Sequence, residues 1–279
     1  ETMSLMNQIM GNKIAINPAI FEAEENYAIG FGMGITAEKV AAQWKISRED
    51  QDAFAVASNQ KACAAIAAGH FKAEISPYAV KARVPNLRTG EVTVKEYLAE
   101  NDEGPRSDSS LAGLARLRPV FAARGSVTAG NSSQMSDGAA AVLVVSENIP
   151  QQSDRRPVAR FAGFSVAGVA PEIMGIGPVE AIPRVLKRAG IRQDEVDWFE
   201  LNEAFAAQAL AVTRTLELDP AKVNPLGGAI ALGHPLGATG TIRTATLVHG
   251  LQRTRQRYGM VSMCIGTGMG AAGLFESLQ

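Results

Sequence analysis

Cysteine is scarce: Cys63 and Cys264 are the two in 279 residues. Two cysteines cannot build a disulfide framework, so a reducing compartment is expected. Net charge is nearly absent as well, with 27 basic against 28 acidic side chains. Nucleic-acid binding needs a basic face that displaces counterions, so no nucleic-acid partner is expected. Long apolar runs are missing. The longest uncharged stretches, 224–242 and 259–275, are broken by glycines, whereas a membrane-spanning helix needs about twenty mostly apolar residues. The opening Glu1-Thr2-Met3-Ser4 has neither the basic start nor the apolar core of a secretory signal, and it lacks an initiator methionine. A segment lying upstream is therefore expected. The final Ser277-Leu278-Gln279 does not match the peroxisomal Ser-Lys-Leu address.

What is present suits a folded protein. Hydrophobic residues make up 46% and charged residues 20%, a balance that excludes disorder and coiled coil. The length allows one large domain or two ordinary ones. Ser47-Arg48-Glu49-Asp50 has the form of a helix cap, and an alanine-rich helix bearing Cys63 should follow and stop at Gly69. The polar stretch 81–110 predicts loops around one strand, Glu91–Glu96. Ala139–Val145 is a continuous apolar run that predicts a strand buried on both faces. A linker is expected over Pro150–Arg156. Beyond it, strands at Val158–Val166, Trp198–Leu201 and Met260–Ile265 alternate with helices at Val179–Ala189, Glu203–Leu216 and Ala238–Arg253. That alternation predicts an α/β fold. A weak internal echo joins 137–143 to 269–275 and is equally open to duplication or chance.

Four segments have the texture of a reaction site. Asn202-Glu203-Ala204-Phe205-Ala206 places polar groups where a buried strand becomes a helix, a junction that often faces a cleft; Asn202 could equally be a helix cap. Residues 224–240 hold five glycines and two prolines around His234, so the backbone there takes special turns and the histidine is placed to act as base or donor. Met263-Cys264-Ile265-Gly266 ends a strand on a cysteine and opens a glycine loop. Such a thiol can move a proton if its pKa is tuned, and the glycine amides can form an oxyanion hole. A buried cysteine is also often just a small hydrophobe. Gly268-Met269-Gly270-Ala271-Ala272-Gly273 matches the dinucleotide pattern GxGxxG, but six residues remain after it. The helix and the acidic residue that the pattern needs have no room, which removes a dehydrogenase.

Taken in order, NEAFA, GGAIALGHPLGATG and CIGTGMG resemble the thiolase family, and Thr128–Gly138, with its Asn131-Ser132-Ser133-Gln134, resembles the degradative 3-ketoacyl-CoA type. The resemblance implies a layered α/β/α/β/α fold with an incomplete first half. Residues 1–150 would be the remainder of the N-terminal half, including an inserted loop domain at about 5–125, and 151–279 the C-terminal half. It implies thiolytic cleavage of 3-ketoacyl-CoA, or the reverse Claisen condensation, through a cysteine thioester. His234 would activate the nucleophile, Asn202 would hold a water of the oxyanion site, Cys264 would be the acid/base, and the Gly266 amide would serve a second oxyanion hole. Coenzyme A, a substrate and not a tightly bound cofactor, would meet Arg106, Phe121, Ala129, Ser133, Ala204 and Phe205. No metal is implied. The family's nucleophilic cysteine has no counterpart here, since Cys63 lies in the predicted alanine-rich helix and Cys264 has the other role. The 279 residues alone are therefore expected to be inactive. A homodimer or homotetramer in the cytoplasm is expected, or in peroxisome or mitochondrion for a eukaryotic source. The alternatives are a non-catalytic acyl-CoA-binding remnant, an acetoacetyl-CoA-specific thiolase, and a ketoacyl synthase, against which Cys264 argues.

Overall fold

The computed structural model describes residues 32–148 and 156–278. Most of the expected linker at 150–156, and the opening Glu1–Ser4, lie outside the described residues.

The frame is a four-stranded sheet. Its strands are β3 (Ala159–Gly168), β4 (Trp198–Leu201), β5 (Tyr258–Ile265) and β6 (Met269–Ser277), in the order β3-β6-β5-β4. The first two neighbouring pairs run antiparallel, and β4 runs parallel to β5. Helix α4 (Gly177–Ala189) covers one face. Its buried positions Ala181, Ile182, Val185 and Leu186 recur at helical spacing, so one stripe meets the sheet. Gly190 ends it in the left-handed region at φ +67, a conformation without a Cβ penalty only for glycine. Helix α5 (Ala206–Thr215) completes this side: Ala209 and Val212 join Leu201, Met260 and Leu274 in the main core. On the opposite face lies α7 (Leu236–Thr254), whose Leu247 and Leu251 pack on Trp198 and Val261.

One contact sets how close α4 comes to the sheet. Gly177 and Gly270 touch, so that a Cβ built on Gly270 would stand 2.1 Å from the Gly177 carbonyl carbon. Gly270 of the apparent dinucleotide pattern thus serves a close helix–strand approach inside a strand, β6, that periodicity alone did not disclose.

The earlier residues form helices and a hairpin. Helix α1 (Met33–Gln43) packs Val40 and Ala41 against Ala207 and Ala211 of α5. Helix α2 (Arg48–Ala67) starts as expected, with Ser47 accepting from the Asp50 amide at 3.0 Å, and Gly69 follows its end at φ +70. Within 81–110 there are two strands' worth of pairing where one was expected: β1 (Tyr78–Pro85) and β2 (Val92–Ala99) form an antiparallel hairpin. A short α3 (Leu111–Ala115) follows it, and α6 (Ala229–Leu232) lies inside the glycine-rich segment.

The expectation for Ala139–Val145 fails. The run takes no strand conformation, and Leu143 and Val144 are 78% and 83% exposed. A strand exists only where a neighbour takes its amides and carbonyls, and among the described residues no strand pairs with this one.

Candidate active site

The parallel strands β4 and β5 end side by side, which is where open α/β sheets usually place ligands. Asn202 follows β4 directly, and its amide donates to the Ser262 carbonyl of β5 at 2.9 Å. Two residues further along β5 stands Cys264. The third participant arrives from the glycine-rich segment: Asn202 Nδ2 lies 3.3 Å from His234 Nε2.

The hydrogen bonds around His234 Nδ1 fit one tautomer of the neutral ring. Nδ1 lies 2.7 Å from Thr239 Oγ1, and that hydroxyl is 2.8 Å from the Pro235 carbonyl. A hydroxyl has one proton to give. Both contacts are satisfied when Thr239 donates to Pro235 and accepts from the Nδ1–H of the imidazole. In the neutral ring Nε2 is then the unprotonated nitrogen, and it accepts from the Asn202 carboxamide. This leaves Asn202 Oδ1 buried without a hydrogen-bond partner among the described residues. A buried carboxamide oxygen without a partner is costly and commonly awaits a water or ligand donor.

Cys264 is buried beside Met174, Ala204 and the half-buried Phe205. Burial pushes its thiol up to about 12, because the thiolate has lost its water. At neutral pH it is a proton-bearing thiol. Gly266 is half-buried in the turn between β5 and β6, where Thr267 and Gly268 take φ +70 and +99.

The remaining candidates form a second group. Ser133 donates its amide to the Ala204 carbonyl at 2.9 Å, and Ser132 bridges to Phe205. The Phe121 ring meets Phe205 edge-on at 6.0 Å between centroids. Gly34 of α1 leaves room for that ring, since a Cβ there would lie 2.1 Å from it. Ala129 is exposed on the neighbouring turn. Arg106 stands apart: its side chain is exposed, while its amide donates to Asn59 Oδ1 of α2 at 2.8 Å. Two partners were not singled out from sequence. Thr239 fixes the imidazole, and the adjacent Glu203 is buried at 2% exposure. Thr239 sits five residues after His234 in the first turns of α7, so only the fold brings the two together.

A sheet with polar groups collected at the ends of its parallel strands, beside a hydrogen-bonded imidazole and a buried thiol, defines an α/β protein with titratable groups gathered at one end of its sheet. The comparisons specify which. The thiolase N-terminal domain matches residues 2–148 and the thiolase C-terminal domain residues 155–277. The 3-ketoacyl-CoA thiolase of Bacillus subtilis (strain 168) is 50% identical over 277 residues, covering 99% of this chain and 70% of that protein. The crystal structure of human mitochondrial 3-ketoacyl-CoA thiolase in complex with CoA superposes with a TM-score of 0.80 at 43% identity, over 90% of this chain and 60% of that one. The dimeric peroxisomal thiolase of Saccharomyces cerevisiae gives 0.80 at 40% identity, over 95% and 64%. This chain belongs to the thiolase family and has its α/β fold. It spans between 60% and 70% of the length of these three relatives. Among the described residues no helix is long and apolar enough to cross a membrane.

Proposed function

We propose that the chain is the larger part of an acyltransferase that cleaves 3-ketoacyl-CoA to acetyl-CoA and a shortened acyl-CoA, or runs the condensation in reverse. The observation that carries this is the Asn202–His234 pair, with Asn202 Nδ2 3.3 Å from His234 Nε2 and the buried Asn202 Oδ1 without a partner among the described residues.

In this reading a cysteine thiolate attacks the 3-keto carbon, and His234 takes the thiol proton. The bond between C2 and C3 breaks, and its electron pair leaves with the acetyl-CoA carbanion. Cys264, a thiol held up at about 12, donates a proton to that carbanion. The thiol of coenzyme A then gives its proton to the Cys264 thiolate and attacks the enzyme thioester. The acyl–cysteine C–S bond breaks, the shortened acyl group leaves as acyl-CoA, and the departing cysteine thiolate takes back the proton held by His234. Asn202, with a water on its open Oδ1, and His234 support the first oxyanion, and the Gly266 amide supports the second. One well-placed donor of this kind is worth about 3 kcal/mol. Ala204 and Phe205 lie beside the thioester, Ser133 and Ala129 line the pantetheine path, Phe121 is a further coenzyme A contact, and Arg106 meets the nucleotide end.

Neither cysteine of the chain suits the nucleophile. Cys63 is carried by α2, and Cys264 has the proton-transfer role. The acylated cysteine therefore lies outside these 279 residues, which alone are silent. We further assign the N-terminal half to 1–150 and the C-terminal half to 151–279, a division supported by the two family matches. The assembly is a homodimer or homotetramer, supported by the dimeric yeast relative. The location is the cytoplasm, or peroxisome or mitochondrion in a eukaryote.

Intact mass after incubation with acetyl-CoA, beside calorimetric titration with coenzyme A, tests this. Heat of binding without an acetyl adduct is expected for the 279-residue chain. An adduct on this chain would overturn the account of the nucleophile, and the absence of any binding heat would sink the coenzyme A contacts.

A further inference from the structure

Glu203 follows Asn202 in sequence, but its carboxylate turns into the protein. Oε1 accepts from Asn224 Nδ2 at 2.7 Å. Oε2 accepts from Ser58 Oγ at 2.7 Å and from the Ile230 amide at 3.3 Å. Ser58 Oγ accepts in turn from the Gly228 amide at 3.0 Å. Asn224 and Ile230 thus belong to the segment that leads to His234, whereas Ser58 belongs to α2. Burial pushes the Glu203 carboxyl above its ordinary value, while these three partners, all donors, oppose that rise by favouring the carboxylate. Lys61 of α2 and Arg243 of α7 face it with positive charge, and Glu200 of β4 with negative.

The surrounding backbone leaves no slack. A Cβ on Gly228 would lie 2.1 Å from the Glu203 carboxyl carbon, and one on Gly227, at φ +83, would lie 2.6 Å from the Ser58 carbonyl oxygen. The next residue of α2, Asn59, holds the Arg106 amide. Gly104 presses on the same segment, since a Cβ there would be 2.4 Å from the Ala231 carbonyl oxygen. Gln134 Nε2 donates to that oxygen at 2.9 Å.

We infer that Glu203, through Ser58, is a positioning residue: it holds residues 224–233 in the one arrangement that presents His234 Nε2 to Asn202, and α2 thereby ties the Arg106 loop to the histidine. The inference rests on the proposed function only for the role given to His234. The hydrogen-bonded geometry is independent of it.

The test reads His234 without requiring catalysis. Histidine rings labelled with carbon-13 give signals for His70, His234 and His249, the second assigned by its loss in His234→Asn. Ser58→Ala and Glu203→Gln are expected to displace or broaden the His234 signal while those of His70 and His249 stay in place. Thr213→Val removes a buried hydroxyl that, among the described residues, bonds within α5 alone, to Ala209. It should lower the melting temperature and leave His234 unmoved. If Ser58→Ala behaves like Thr213→Val, with a lower melting temperature and an unchanged His234 signal, the positioning role is wrong. Should Glu203→Gln not fold, Ser58→Ala decides alone. Failure of the acetyl-CoA and coenzyme A measurements would remove the proposed chemistry and leave this result standing.

Discussion

Two apolar runs of similar sequence have opposite fates. Ala139-Ala140-Ala141-Val142-Leu143 lies in the open, whereas Ala271-Ala272-Gly273-Leu274-Phe275 is strand β6, with Leu274 fully buried. Residue type cannot account for this. Strand β6 has β3 on one side and β5 on the other, and α4 lies on its face. The 139–145 run has no such neighbours among the described residues. Apolar character makes a segment available for a sheet; the sheet is made by partners that accept its backbone hydrogen bonds.

The comparison can be broken in stages. The largest effect is expected where the second region buries charge. Arg243 and Glu200 are 2% and 0% exposed and pair at 3.3 Å, and Trp198 Nε1 donates to the same carboxylate at 2.7 Å. Arg243→Met would strand Glu200 and cost about 4 kcal/mol in urea unfolding; a loss under about 1 kcal/mol would mean that water reaches this pair. Leu274→Ala should follow at about 3 kcal/mol, because both transfer energy and a cavity are involved. The matched Leu143→Ala should change stability by less than about 0.5 kcal/mol. Equal losses in the two leucine variants would show that 139–145 is packed in solution.

A smaller effect depends on pH. Glu74 accepts from Thr246 of α7 at 3.0 Å, and burial pushes its carboxyl from the ordinary 4.5 up to about 7. Glu200 adds to that rise, while Arg243 and the hydroxyl oppose it. The folded state therefore holds this proton more firmly than the unfolded state, and stability falls as pH rises from about 4.5 through about 7. Glu74→Gln should flatten that window and gain about 1 kcal/mol at pH 8, after allowance for partial exposure. An unchanged slope would place the titration elsewhere. Smallest in free energy, Leu143→Lys with Val144→Lys should reduce self-association measured by sedimentation without altering unfolding. Undiminished association would point to the hairpin β1–β2, where Tyr78 and Leu98 are 73% and 54% exposed.

Sequence was informative where chemistry and local pattern coincide. Trp198–Leu201 is strand β4 as expected, Ser47 caps α2, and the Asn202 and His234 segments do meet. Most missed features depend on distant partners. Strand β1 does not: it pairs locally with β2 and lies largely in the polar stretch that reads as loop. Strand β6, by contrast, fills the middle of a sheet, and Ser58 reaches Glu203 across 145 residues of chain. Thr239 was overlooked for a related reason: five residues from His234, it becomes a neighbour only after the turn at Pro235 folds back. Periodicity describes one segment at a time, and neither the order of the sheet nor the Ser58–Glu203 contact belongs to one segment.

The Gly177–Gly270 contact has a consequence for how this sequence is free to vary. Each glycine occupies the space that the other's side chain would need, so the two positions share a single vacancy. Neither can accept an alanine while α4 keeps its distance from β6, and replacing one residue does not release the other. Across descendants of this chain the pair should drift as one character, with any departure from glycine accompanied by a shift of the whole helix.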